Sequence, residues 1–288
     1  MIQIRPLTNL SVNDLYIAWE QAFSDYERTW TKGELANMLQ RRGYTPSLSF
    51  GAFDGSVLVS FTLNGTGTYS GKPTAYDTGT GTLAAYRGKG LASEIFTISL
   101  PILKQAGITR YLLEVLHYNT AAISVYTKLG FTISRELNYF LADTASVKQD
   151  KKASADISLR PIGFEDKAAM LAMQDFIPSW QNTFDALERC RHGLIISGAF
   201  YNDVLVGYGI IEPATGDLHL AVHKDHRRQG IGSAILTQLI PHNNFPTVKV
   251  INIDATCTQI TDFLIHNNIP LRGTQFEMVR DMANINTG

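Results

Sequence analysis

Cysteine is scarce in this 288-residue chain, which contains only Cys190 and Cys257. Two cysteines do not make a disulfide framework, and they fit the buried thiols of a cytoplasmic protein. The sequence also lacks an apolar run of about 18 residues, the length that a membrane-spanning helix requires, and its N-terminal stretch has no signal-peptide core. The net charge is −1 at pH 7, so no concentrated positive face argues for nucleic acid or an anionic membrane. We therefore expect a cytoplasmic protein that binds neither.

The chain repeats itself once. Three blocks return in the same order, and the distance between the partners shrinks gradually along the chain. The pairs are IRPLTNLSVNDL (4–15) with LRPIGFEDKAAML (159–171), FGAFDGSVLVSF (50–61) with SGAFYNDVLVGY (197–208), and YRGKGLASEIF (86–96) with HRRQGIGSAIL (226–236). A polar stretch without apolar periodicity separates the copies. We predict a domain at 1–141, a linker at 142–157 and a second domain at 158–288.

Each copy shows the same succession of local patterns: a strand, two helices, further strands, then a glycine turn that opens a helix. In the first copy a buried strand, a short helix and a closing strand follow (RYLLEVLHY, TAAISVYTKLG and FTISRELNYFL). A chain of 44% hydrophobic residues can bury a core for each copy. This alternation predicts a mixed α/β layer fold, with a sheet flanked by helices in each domain.

The glycine turn of the first copy, Arg87 to Ala92, allows several interpretations. Glycine serves tight strand-to-helix turns, and the amides of a helix N-terminus also attract anions. The spacing of a nucleotide phosphate loop is absent, because Gly90 rather than Ser or Thr follows Lys89. The preceding GTGTLA (79–84) matches a dinucleotide fingerprint formally, but it opens no helix and has no acidic residue at the required distance. A tight turn and a pyrophosphate cradle remain.

Arg87-Gly88-Lys89-Gly90-Leu91-Ala92 resembles the R/Q-x-x-G-x-G/A acetyl-CoA turn of the GNAT superfamily of N-acetyltransferases, and 227–232 (RRQGIG) matches it again. LLEVLHYNTAAISVYTKLGF (112–131) resembles the second signature of that family. The resemblance covers most of both copies. It implies two tandem GNAT-like domains, each with a mixed, mostly antiparallel sheet flanked by helices. The implied activity is acetyl-CoA-dependent transfer of an acetyl group to a primary amine by direct attack.

The resemblance also implies which residues hold coenzyme A. In the first copy they are Thr82, Leu83, Ala84, Arg87, Gly88, Lys89, Gly90, Leu91, Ala92 and Asn119; in the second they are Val222, Arg227, Arg228, Gln229, Gly230, Ile231, Gly232 and Ser233. Backbone amides of each turn would bind the pyrophosphate, and the strand before it would pair with the pantetheine arm. Asn119 is equally suited to cap the helix that it precedes.

Acid and base chemistry is predicted for the first copy. Tyr126 stands where the family commonly places the tyrosine that protonates the leaving thiolate, and a phenol matches a thiol in basicity. Glu114 stands where related enzymes place the base, and a carboxylate on an apolar strand can have a raised pKa. Asp77 is a rival base. The alternatives are a tyrosine that only packs and a strand glutamate that only faces solvent.

The acceptor site is expected near Phe23, Asp25 and Tyr26, since the first two helices line it in this family; a core role for Phe23 is the alternative. The acceptor is a small-molecule or peptide amine, and the protein is a monomer or dimer. In the second copy Leu264, Cys257 and Asn252 replace Tyr126, Asn119 and Glu114. That copy is therefore expected to bind coenzyme without turnover or to be a structural half, which leaves a coenzyme-A-binding or sensing module as the alternative function. Its histidines lack partners at metal-ligand spacing, and no metal is expected.

Overall fold

The computed structural model describes residues 1–25, 30–149, 156–283 and 285. The chain forms two compact units. Unit 1 comprises Met1–Ser134 together with Phe276–Gly288, and unit 2 comprises Arg135–Gln275. Among the described residues, no helix has the length and apolar character needed to cross a membrane.

Unit 1 is a sheet with helices packed against it. Its strand order is β1-β2-β3-β4-β5-β12. The strands are β1 (Ile2–Pro6), β2 (Phe50–Asp54), β3 (Val57–Tyr69), β4 (Lys72–Thr82), β5 (Arg110–Leu116) and β12 (Leu271–Asp281); the helices are α1 (Val12–Ala22), α2 (Lys32–Arg42), α3 (Leu91–Gln105) and α4 (Thr120–Lys128). Neighbouring strands from β1 to β4 are antiparallel, and β4 pairs with β5 in parallel.

Unit 2 repeats this arrangement with the order β6-β11-β10-β9-β8-β7. Its strands are β6 (Thr132–Asp143), β7 (Ile157–Pro161), β8 (Ile195–Tyr201), β9 (Val204–Glu212), β10 (Asp217–Val222) and β11 (Thr247–Asp254); its helices are α5 (Lys167–Leu171), α6 (Phe184–Arg189), α7 (Ile231–Leu239) and α8 (Thr258–His266). The ladders from β7 to β10 are antiparallel, and β10 pairs with β11 in parallel. The predicted fold, a mixed and mostly antiparallel sheet flanked by helices, is confirmed.

The last strand of each sheet comes from the other copy of the repeat. β6, the predicted closing strand of the first copy, runs antiparallel to β11 from the pair Thr247↔Asp143 to the pair Asp254↔Leu137. In exchange, β12 from the end of the chain lies next to β5 in unit 1. The compact units therefore do not coincide with the predicted segments 1–141 and 158–288, and the predicted linker begins inside β6 at Ala142. Val147, also within that stretch, is buried in the core of unit 2.

Local sequence explains the helices that position the site. In α1 the residues Leu15, Ala18, Trp19 and Ala22 recur at helical spacing and are buried. Thr31 and Glu34 form a reciprocal capping box at the start of α2. One apolar cluster joins α1 and α2 to the sheet, and another joins α3 and α4 to β5 and to Met278 of β12. These clusters fix both helix layers around the end of β4.

Candidate functional site

In unit 1 the strands β4 and β5 part. Their parallel ladder has three pairs and ends at Tyr76↔Leu112, although β4 continues to Thr82 and β5 to Leu116. The backbone groups that face the gap are not used by a β4–β5 ladder beyond that pair. A ladder that stops while both strands continue leaves an opening into which another chain or an extended ligand can insert.

A tight turn joins the end of β4 to α3. Gly88 and Gly90 have φ of 74° and 78°, a conformation that glycine adopts without strain. A Cβ placed on either glycine would meet no atom within 4 Å, so the space above the turn is open. The first hydrogen bond of α3 runs from Glu94 N to Gly90 O (3.0 Å). The preceding amides point outward with the positive end of the helix dipole, which suits an anion such as a pyrophosphate.

Other predicted cofactor contacts are engaged by the protein itself. Leu83 N donates to Val59 O (3.0 Å), and Arg87 N donates to Ala84 O (3.2 Å). Lys89 Nζ lies 4.6 Å from the centre of the Tyr86 ring. The amides that remain for a phosphate therefore begin at Gly88.

The Arg87 side chain ties the turn to the end of α1. Its Nε donates to Thr82 O (3.2 Å), one Nη donates to Ala22 O (3.0 Å), and the other Nη forms an ion pair with Asp25. Asp25, predicted to lie in the acceptor site, thus holds a residue of the predicted coenzyme turn. Phe23 packs its ring 4.5 Å from that of Trp19 in the aromatic core. Tyr26 lies outside the described residues.

Tyr126 and Asp77 meet beside the opening. Tyr126 Oη donates to Asp77 Oδ2 (3.3 Å), and Thr80 Oγ1 donates to the same oxygen (2.8 Å). Asp77 is 8% exposed. Burial raises the pKa of Asp77 to about 6, against the lowering effects of its hydrogen bonds from Thr80 and Tyr126 and of the nearby Gly79 amide. A buried carboxyl that titrates near neutrality is suited to accept protons.

Glu114 and Asn119 lie on neighbouring elements. Glu114 is half-buried on β5. The pKa of Tyr76 is raised mainly by burial and, after that, by the nearby negative charge of Glu114. Asn119 Oδ1 accepts a hydrogen bond from Ala122 N (3.1 Å), so Asn119 caps α4. The position of Tyr126 on α4 follows from this cap.

Unit 2 has the same opening and the same turn. Its parallel β10–β11 ladder consists of one pair, Asp217↔Lys249. Gly230 has φ of 80°, and Arg228 occupies the second left-handed position with φ of 64°. Arg227 Nε donates to Val222 O (3.0 Å), while its Nη forms an ion pair with Asp175 (2.7 Å). An Arg–Asp ion pair therefore links the glycine turn to the segment after the first helix in both copies, as Arg87–Asp25 and as Arg227–Asp175.

A cavity of about 750 Å³ opens beside this second turn. Its wall includes predicted coenzyme residues of the second copy, namely Val222, Arg227, Arg228, Gly230, Ile231, Gly232 and Ser233. Buried and half-buried polar side chains complete it, including His219, Asn182 and Tyr208. Burial raises the pKa of Tyr208 to about 12.

The residues that replace the acid and the base in the second copy are built into its core. Leu264 is fully buried in the apolar cluster. Asn252 is buried, with φ of 62°, and donates to Ser179 Oγ (2.7 Å). Cys257 begins α8 without a side-chain cap. Among the described residues, no group of three or more His, Cys, Asp or Glu side chains is arranged to hold a metal ion.

Sequence reasoning missed Asp175 and the cavity of unit 2. A signal for Asp175 was present, because FSDY (23–26) and MQDF (173–176) both place Asp before an aromatic residue after the first helix. The contact between Asp77 and Tyr126 had no sequence signal, since 49 residues separate them.

The sequence model of the acetyltransferase (GNAT) family matches residues 12–131 and 165–243. No curated protein sequence matches the chain. Among solved structures, a tandem GNAT protein from the clavulanic acid biosynthesis pathway has a TM-score of 0.76 at 12% identity, with 99% of this chain and 100% of that one covered. A GCN5-related N-acetyltransferase from Sphaerobacter thermophilus has a TM-score of 0.70 at 11% identity, with 98% and 96% covered.

A glucosamine N-acetyltransferase region of a fungal multi-domain GH3 β-N-acetylglucosaminidase has a TM-score of 0.75 at 15% identity. The alignment covers 96% of this chain and 38% of that protein. At these identities the likenesses show the fold, which is that of tandem GNAT proteins.

Proposed function

The chain belongs to the acetyltransferase (GNAT) family, and we propose that it transfers an acetyl group from acetyl-CoA to a primary amine by direct attack of the amine. The observation that supports this most strongly is the arrangement in unit 1. The strands β4 and β5 part beside an open helix N-terminus, and a tyrosine–carboxylate pair lies at the parting. The acceptor is a small-molecule or peptide amine.

Each part of unit 1 has a task in this proposal. The amides from Gly88 to Ala92 hold the pyrophosphate, and the end of β4 aligns the pantetheine arm. Acetyl-CoA supplies the activated acetyl thioester. Tyr126 gives a proton to the departing thiolate, and a carboxylate on β4 or β5 accepts the proton that the amine loses.

Unit 2 is proposed to bind coenzyme A without turnover. Its cavity and turn support binding. Leu264 cannot donate a proton, and Asn252 has no basic group. This same unit supports the second candidate function, a coenzyme-A-binding or sensing module with little catalysis.

Matched changes at the two turns separate the sites. Gly90→Val and Gly230→Val each place a branched side chain at a left-handed position in the path of a phosphate. We expect calorimetric titration with coenzyme A to show two sites in the wild type, one in each variant and none in the double variant. Gly90→Val alone should abolish thiol release from acetyl-CoA with a panel of amines. Gly71→Val, at a left-handed turn with φ of 73° before the first residue of β4 and so at the opposite end of that strand from the coenzyme turn, controls for backbone strain.

Tyr126→Phe tests the catalytic assignment. It removes only a hydroxyl, so packing against Phe96 and Phe131 is retained. We expect kcat to fall by about 10²–10⁴, with coenzyme affinity nearly unchanged. Tyr139→Phe on β6 removes the same hydroxyl from a residue outside the cavity and both turns, and this control should leave kcat unaltered. Full activity of Tyr126→Phe, together with loss of activity in Gly230→Val, would assign turnover to unit 2. Two coenzyme sites without thiol release for any amine would favour the sensing module.

A further inference from the structure

Asp77 occupies a special place in unit 1. It is the first residue of β4 beyond the last β4–β5 pair, Tyr76↔Leu112, so it stands where the strands begin to part. Its Oδ2 accepts hydrogen bonds from Tyr126 and Thr80. Its Oδ1 is buried and has no hydrogen-bond partner among the described residues. One oxygen is thus held by the protein, and the other retains its capacity to accept a hydrogen.

The groups around Asp77 make it a proton acceptor near neutrality. Burial is the largest cause that raises its pKa, to about 6, while Arg42 of α2 lowers it. Tyr76 of β4 and Tyr111 of β5 are neutral neighbours whose own pKa values are raised, mainly by burial. Tyr126 of α4 supplies the hydrogen bond that favours the ionised carboxylate.

We propose that Asp77 and Tyr126 form one proton path, in which Asp77 accepts the proton that the acceptor amine loses and Tyr126 delivers a proton to the departing thiolate. The proposal rests on the proposed function of unit 1. It assigns the base to Asp77 rather than to Glu114, because Asp77 is the carboxylate to which the Tyr126 hydroxyl donates.

The path returns to its starting state after each transfer. As the C–N bond forms and the C–S bond breaks, one amine proton passes to Asp77 and the phenolic proton of Tyr126 passes to sulfur. The proton on Asp77 then moves across the existing hydrogen bond to the Tyr126 oxygen. Asp77 is again ionised and Tyr126 is again neutral, as in the structure. The amine has lost one proton, the thiol has gained one, and no oxidant or further reactant is needed.

This mechanism also removes a conflict within the site. A phenol that donates to an ionised carboxylate is a poor acid, since loss of its proton would leave two negative charges side by side. If Asp77 has already received the amine proton, Tyr126 can release its own without that repulsion. The order of the two transfers is therefore set by the contact.

Infrared difference spectroscopy with isotope-labelled aspartate tests the pair without turnover. We expect a carboxyl band that titrates at about pH 6 in the wild type and is absent in Asp77→Asn. Tyr126→Phe and Thr80→Val each remove a hydrogen bond to the ionised form, so both should move the titration to higher pH. A band whose titration is unaffected by Tyr126→Phe overturns the coupling.

Acetyl-transfer kinetics test the direction of the proton. In the wild type kcat should rise with pH through about 6, because Asp77 must be ionised to accept the amine proton. In Asp77→Asn this rise of kcat with pH should be absent, and kcat itself should be about 10²–10⁴-fold lower. Glu114→Gln makes the same kind of change on the neighbouring strand, and in this variant kcat should still rise with pH through about 6.

The outcomes separate the two proposals. Suppose that the wild type is active. If kcat still rises with pH through about 6 in Asp77→Asn, or if this rise is lost in Glu114→Gln, the proton path alone is overturned. A wild type that binds acetyl-CoA and transfers nothing to any amine overturns the proposed function and the path with it.

Discussion

Gly79 and Gly81 of β4 lie beneath aromatic rings. A Cβ on Gly79 would approach Trp19 to 2.7 Å, and one on Gly81 would approach Phe61 to 2.6 Å. A glycine within a strand is equally compatible with the close approach of a ligand. The structure shows that they admit the aromatic core that joins α1 to the sheet, which in turn positions Asp77 two residues earlier.

We expect Gly79→Ala to lower the free energy of unfolding by about 1–3 kcal/mol, because a fully packed ring must move to admit the methyl group. Gly33→Ala in α2 is the control, since a Cβ there meets nothing within 4 Å and alanine favours the helix. Urea denaturation of both variants measures the difference. An unchanged midpoint for Gly79→Ala would mean that Trp19 is not packed against this strand.

The burial of Asp77 should make stability depend on pH. Its folded pKa of about 6 lies above the usual 3.8, so the folded state binds more protons between these values and gains stability as the pH falls. This difference between the folded and the usual pKa corresponds to roughly 3 kcal/mol of stability. Asp77→Asn, which carries no charge, should therefore be more stable than the wild type at pH 8 by up to that amount, and equally stable near pH 4. Equal stability at both pH values would contradict a buried charge.

At the scale of elements, local signals predicted most of unit 1 because each helix and turn carries its own chemistry. The capping box at Thr31, the buried face of α1 and the glycines at 88 and 90 all depend on neighbours in the sequence. Less was predictable where the chain departs from such signals. Arg228 takes a left-handed conformation that would be expected for glycine, and α5 spans five residues where α1 spans eleven. The ion pairs Asp25–Arg87 and Asp175–Arg227 could not be predicted, because each joins elements that are distant in sequence.

The ion pair between Asp175 and Arg227 in unit 2 predicts an effect on coenzyme A affinity. Asp175 and Arg227 both line the cavity, so Asp175 is a negative charge close to the proposed site of a polyanion. Their ion pair is partly exposed and should contribute only about 0–1 kcal/mol to stability. In a Gly90→Val background, we expect Asp175→Asn to tighten coenzyme A binding about two- to tenfold, more at low salt. Arg227→Gln is the opposite change and should weaken it; tightening in both variants would exclude an electrostatic cause.

At the scale of the whole molecule, the repeat indicated two copies of one fold, but it could not indicate which sheet each closing strand joins. β6 and β12 have equivalent places in the two copies, so either could complete either sheet as far as hydrophobic pattern is concerned. The choice depends on contacts made only after folding. Phe140 of β6 is fully buried in unit 2, and Met278 of β12 is buried in unit 1 with Phe96 and Tyr111.

The exchange predicts that the copies do not fold separately. A fragment 1–157 lacks β12 and with it Met278 and Met282, each 1% exposed, so unit 1 loses a strand and about 3–6 kcal/mol of apolar burial. A fragment 158–288 lacks β6, including Phe140 and Ala142. We expect each fragment alone to show no cooperative unfolding, and the two co-expressed to form a stable complex. The control is the full chain with a protease site inserted within 151–155, cleaved after folding. This divides the chain at nearly the same place as the fragments do, but only after β6 and β12 have joined their sheets. A fragment 1–157 that unfolds cooperatively and binds coenzyme A on its own would show that unit 1 does not need β12.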